Sequence, residues 1–219
     1  MGLAPRYGPR TVVFVMIAAL VLAVVPSMSS PAYGQSSDIR EAQTLLNEVG
    51  YPAGPVDGLD GPQTRRGLCT WRRLEGRVAH RGPLTTFELQ ALRTTTELPA
   101  ADDGRGITVD KTCQSVFYRE DGRWQQVLAA STGWGGLPRE GDYTIFRTRN
   151  GWHTSTLYPA ASPNMYKTMY FSGVIAVHGS NHVPARPVSA GCVRVTPAGA
   201  DYLHARIHIG DPIQVIGRY

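Results

Sequence analysis

Two side chains in the C-terminal third of the sequence are of types that can carry out acyl transfer together. His178 follows the apolar run Ile175-Ala176-Val177. Fourteen residues later Cys192 sits in a turn of small residues, Ser189-Ala190-Gly191-Cys192, followed by Val193-Arg194. A thiol of ordinary pKa, about 8.5, is only a few per cent thiolate at neutral pH. A neighbouring imidazole that takes its proton leaves a stronger nucleophile. The glycine before the cysteine lets backbone N–H groups turn toward one point, where they could hold the oxyanion of a tetrahedral intermediate. Residue types alone leave a second reading open, because cysteine is among the most buried residues and a lone strand histidine often serves packing.

The elements around this pair are extended. Val116-Phe117-Tyr118 and Val127-Leu128-Ala129 flank the hairpin signal Asp121-Gly122. Tyr143 to Phe146, Gly173 to Val177 and Ile213 to Ile216 are further β-type runs, and Leu203 to Ile207 reads as a short helix after Pro197. Frequent Gly and Pro between short runs predict a sandwich or open barrel. Residues 94–106, Thr-rich and then Ala-Ala-Asp-Asp-Gly-Arg-Gly, read as a linker.

Before the linker the pattern is helical. Ile39, Ala42, Leu45, Leu46 and Val49 share one stripe, with Ser37 or Asp38 as cap and Gly50 as stop. A second helix starts with Pro62 and buries Leu68, Trp71 and Leu74, although Gly67 weakens it. Thr85 and Glu88 form a capping-box pair for a third, with Leu84 and Leu89 placed to staple it. The fold class is therefore multi-domain α+β, a three-helix module over residues 36–93 and a mainly β domain over 107–219.

Residues 1–34 have the layout of a secretory leader. Arg6 and Arg10 precede an apolar run from Thr11 to Val25, and Ala32-Tyr33-Gly34 marks a cut before Gln35. An uncleaved anchor is the alternative, but a span needs roughly 20 apolar residues. Loss of the two arginines takes the formal charge from +5 to +3, and neither a basic block nor an acidic tail points to nucleic acid. Three cysteines in an exported chain leave one unpaired. Cys69 and Cys113 are plausible disulfide partners, with Cys192 as the free thiol. The histidines show no metal-ligand spacing with the cysteines, so neither metal nor other cofactor is expected.

Two resemblances organise these observations. Leu45-Leu46, Gly50-Tyr51, Gly54-Pro55-Val56-Asp57-Gly58, Gly61-Pro62 and Thr64 resemble the helical peptidoglycan-binding domain, though Trp71-Arg72 stands where that family usually has an aromatic-Gln pair. His178-Gly179 with Ser189-x-Gly191-Cys192-Val193-Arg194 resembles the signature of the L,D-transpeptidase catalytic domain. Ala130-Ser131-Thr132-Gly133, Pro138, Gly141, Tyr143, Met169-Tyr170-Phe171 and Gly210-Asp211-Pro212-Ile213 occur in that family's order.

The second resemblance implies a wall-associated enzyme acting on peptidoglycan stem peptides and glycan. Cys192 would be the nucleophile, His178 the base, the Gly179 carbonyl its orienter, and the N–H groups of Gly191 and Cys192 the oxyanion donors. Ser189 and Arg194 would shape the turn or meet a substrate carboxylate, and Tyr170 would line the pocket or pack in the core. Ala190 departs from the family, which most typically has histidine there. Two rivals stand beside cross-linking by amine capture: an L,D-carboxypeptidase, in which water takes the acyl group, and a catalytically weak wall-binding protein.

Overall fold

The helical stripe of Ile39, Ala42 and Leu46 is buried in the computed structural model, which describes residues 1–2, 36–155 and 162–219. Beyond its first two residues, the expected leader lies outside the described residues. Helices α1 (Ser36–Val49), α2 (Pro62–Leu74) and α3 (Thr86–Leu92) pack around Leu68, Trp71, Leu84 and Leu89. Pro62 opens α2, where its missing N–H would have no intrahelical partner. Thr85 and Glu88 make the reciprocal bonds of a capping box at α3. Gly67 is a packing requirement rather than a weakness, since a Cβ there would lie 2.8 Å from Ala53 Cα. The Gly- and Pro-rich segment thus lies directly on α2.

Among the described residues, the rest of the chain builds one nine-stranded sheet. Its strands are β1 (Gly106–Asp110), β2 (Ser115–Glu120), β3 (Arg123–Ser131), β4 (Gly141–Thr144), β5 (Arg147–His153), β6 (Met165–Ser172), β7 (Ile175–Gly179), β8 (Val193–Val195) and β9 (Pro212–Ile216). They lie in the order β4-β9-β1-β2-β3-β8-β7-β6-β5. Pairs β1–β9 and β7–β8 are parallel and the others antiparallel. The sheet curls, because Tyr143 of β4 and Phe171 of β6 meet edge-on with centroids 5.4 Å apart despite their distance in strand order. Helix α4 (Pro197–His204), capped by Thr196, adds Ala200 and Leu203 to the sheet's core.

The architecture matches the expected helical module and mainly β domain, with a fourth helix in the β part. Asp121 and Gly122 turn the β2–β3 hairpin with positive φ at both residues. Some boundaries differ. Gly173 belongs to the β6–β7 turn, with φ of 56°, and α4 begins at Pro197, well before Leu203, because the Thr196 cap starts it there.

The helices and the sheet are joined by polar and covalent contacts along α2. A disulfide links Cys69 of α2 to Cys113 in the β1–β2 turn. One helical turn further on, Arg73 donates to the fully buried Asp110 at 2.7 Å. The hydroxyls of Thr70 and Ser115 lie 2.7 Å apart. Arg66, 3% exposed, donates to the carbonyls of Ala130 and Val183, and Arg81 donates to that of Ala185 at 2.6 Å. Closing a loop of 44 residues removes entropy from the unfolded chain. The Cys69→Ser/Cys113→Ser double variant should therefore lose about 3–4 kcal/mol of unfolding free energy in a denaturant titration. An unchanged midpoint and slope would show that this link does not limit unfolding.

Candidate active site

Strand alternation separates core from site. On the parallel pair β7–β8, Val177 faces Val193 and both side chains enter the core. Their neighbours His178 and Arg194, also paired in register, therefore project to the opposite face. There they line a cavity of about 260 Å³ together with Cys192, Ser189, Gly191 and Trp134. The resemblance brought Cys192, His178, Gly191, Ser189 and Arg194 together on paper, and all five line this one cavity. Tyr170 sits behind them. It is 9% exposed and packs with Met165 and Ala176 in a cluster against Cys192, with Arg147 stacked 3.9 Å from its ring centroid.

The turn that carries Cys192 is held by its own side chains and by two glycines. Ser189 Oγ donates to the Cys192 carbonyl and accepts from Gly191 N at 3.1 Å. The Gly191 N–H, expected to face an oxyanion, is thus engaged within the turn. Gly191 has φ of 146°, which disfavours any side chain. A Cβ on Gly133 would lie 2.6 Å from Gly191 Cα, so the turn rests directly on the 130–133 backbone. Thr132 O accepts from Val188 N and Ser189 N, and Trp134 N donates to Ser189 O at 3.0 Å.

His178 is 4% exposed and its Nδ1 lies 2.9 Å from Gly179 O. A carbonyl only accepts, so Nδ1 carries the proton and Nε2 keeps the lone pair. Burial, helped by the charge of Arg194, pushes the imidazole down to about 4. Burial also raises the Cys192 thiol, while a backbone bond from Ala176 and the Arg194 charge oppose the rise. Both partners are neutral at rest near pH 7.

The family model of the L,D-transpeptidase catalytic domain matches residues 104–215, just over half of the chain. The chain belongs to the L,D-transpeptidase catalytic domain family. A peptidoglycan binding domain model matches residues 35–76. The chain is similar to the crystal structure of the L,D-transpeptidase (residues 123–326) from Xylanimonas cellulosilytica DSM 15894. The two are 28% identical with a TM-score of 0.59, over 85% of this chain and 98% of that one. An L,D-transpeptidase from Stackebrandtia nassauensis shares the fold at 22% identity and a TM-score of 0.52, covering 86% and 96%. No curated protein matches the chain.

This L,D-transpeptidase contains a supporting residue that sequence reasoning missed. Gln114, fully buried, donates from Nε2 to Lys111 O at 2.7 Å and to Thr132 Oγ1 at 2.8 Å. Its Oε1 accepts from Thr132 N at 2.9 Å. A single glutamine in a turn has no periodicity to mark it, although the Ala130–Gly133 match pointed at the segment it holds. Trp134, 61% exposed in a Gly-rich run, was a visible signal left unused.

The electrostatics fix how the thiol should titrate. Iodoacetamide alkylation of Cys192 should rise with a midpoint above that of an ordinary thiol. Arg194→Met should move it higher still, because the lost cation favours the thiolate. A midpoint below neutrality would mean a resting thiolate and contradict this electrostatic description.

Proposed function

We propose that this L,D-transpeptidase is an exported, wall-associated enzyme that cross-links peptidoglycan through a thioester on Cys192. The observation that carries the reading is the shared cavity of Cys192, His178 and Arg194, with the imidazole oriented by the Gly179 carbonyl. Residues 1–34 direct export, 36–93 form the peptidoglycan-binding-like module, 94–106 the linker and 107–219 the catalytic domain.

In this reading Sγ of Cys192 attacks the carbonyl between the L-centre of a stem diamino acid and the following D-alanine. The thiol proton passes to His178 Nε2 as the S–C bond forms. The C–N bond then breaks, and the same proton goes to the departing D-alanine amine. A side-chain amine of a second stem gives a proton to Nε2 and attacks the thioester. The thiolate leaves and recovers the proton, completing a 3→3 cross-link.

Charge is absent until attack begins, so the groups that meet it matter most. The Cys192 N–H is the oxyanion donor in this scheme, because Ser189 engages the Gly191 N–H. Arg194 compensates the thiolate or receives a stem carboxylate. Ser189 and Gly191 set the turn, and Tyr170 backs the nucleophile. Ala190 removes a ring that the family usually places beside the cysteine, leaving His178 as the base.

Mass spectrometry of products from residues 35–219 with a disaccharide-tetrapeptide tests the scheme. The expected result is cross-linked dimer with released D-alanine, reduced by on the order of 10³-fold or more in Cys192→Ala. Tripeptide without dimer would make water the acceptor and the enzyme a carboxypeptidase. No product from folded protein would overturn the enzymatic reading. Since neutral His178 is the base, kcat/KM should hold as pH falls below neutrality and drop through about 4. An acid limb at histidine's ordinary value would contradict that role.

A further inference from the structure

The seam between α2 and the sheet opens onto a groove that the chemistry above does not use. Two cavities of about 480 and 330 Å³ share Arg186 and Tyr219, and the second shares Trp134 with the catalytic cavity. The path runs from Arg65 and Arg81 of the helical module, past Arg186 and Lys111, to the edge of the nucleophile pocket. Among the described residues, no aspartate or glutamate lines these two cavities.

The cations are unevenly compensated. Arg65 pairs with Asp60 at 3.0 Å. Arg81 stacks on Tyr219, 5.0 Å from its ring centroid, and donates only to carbonyls, Ala185 O and Pro62 O. Its Nη1 is buried without a hydrogen-bond partner. The Lys111 ammonium rests on the Gly136 carbonyl at 2.8 Å. Arg186 has an exposed side chain on a backbone fixed by Ser131 Oγ, which donates to its carbonyl at 2.7 Å. Arg66 beneath the seam is pushed down to about 10, chiefly by burial and secondarily by the charge of Arg81, while the Glu140 carboxylate favours the charged form of Lys111. Guanidinium groups recognise planar carboxylates with paired hydrogen bonds. Trp134 and Tyr219, each 61% exposed, offer flat apolar faces for sugar rings.

We propose that this groove is a second binding site, for a peptidoglycan strand held through the free carboxylates of its stem peptides. The identity of the polymer rests on the function proposed above; the anion-binding chemistry does not. Such a site would hold the strand beside the catalytic cavity and raise the local concentration of stems there.

Co-sedimentation of the full chain carrying Cys192→Ala with purified sacculi, stripped of phosphate polymers, tests it without any turnover. Binding should weaken with salt. Arg186→Glu should raise the apparent Kd roughly tenfold, Arg186→Lys should restore it in part, and Tyr219→Ala should weaken binding with charge intact. Unchanged thermal midpoints would confirm folding of each variant. Amidation of the stem carboxylates should abolish the Arg186-dependent component. Binding indifferent to Arg186→Glu, or an Arg186-dependent component that survives amidation, would overturn the proposal. Binding only to sacculi that retain phosphate polymers would assign the groove to phosphate and overturn the stem-peptide assignment. Because chemistry is disabled throughout, a failed cross-linking assay leaves these results readable.

Discussion

Much of the molecule depends on the buried amide of Gln114. Taking an amide out of water costs several kcal/mol unless its hydrogen bonds are replaced. Here they are replaced on both atoms, by Lys111 O, Thr132 Oγ1 and Thr132 N, while the backbone carbonyl of Gln114 accepts from Ala130 N. Thr132 in turn presents its carbonyl to Val188 and Ser189, and Ser189 closes the turn that carries Cys192. The other side of the same β1–β2 turn is held by α2 through Cys113 and Asp110. One short segment thus grips the helical module with one face and the Cys192 loop with the other.

That arrangement explains how the site can be built from small residues. Ser189, Ala190 and Gly191 have little volume to pack, so the turn takes its geometry from hydrogen bonds and from the close approach of Gly133. Burial shifts the imidazole down and the thiol up, each toward its neutral form. Arg194, in register with His178, is the nearby fixed charge that opposes the shift on the thiol. In the proposed mechanism, charge formed during attack would therefore meet preplaced dipoles and a cation.

The sequence made some of this legible and hid the rest for physical reasons. Capping at Thr85–Glu88, the Asp121-Gly122 turn and the stripe on α1 are local patterns, and each survives intact. Cys192, His178 and Arg194 stood out because their spacing matches a family signature, and they line one cavity. Gln114 and Arg66 were not, since their meaning lies in partners far along the chain, such as Ala130 and Val183 for Arg66. Gly67 misled in isolation because its neighbour Ala53 is a tertiary contact. The expected Gly191 oxyanion donor followed the family pattern and did not anticipate that Ser189 Oγ would take its N–H.

Intact-protein mass spectrometry during turnover, quenched in acid, addresses the central claim most directly. With a tetrapeptide donor, the account predicts an adduct of donor mass less D-alanine, located on the Cys192 peptide and released by hydroxylamine. Turnover without that adduct, or an adduct on another residue, would contradict it.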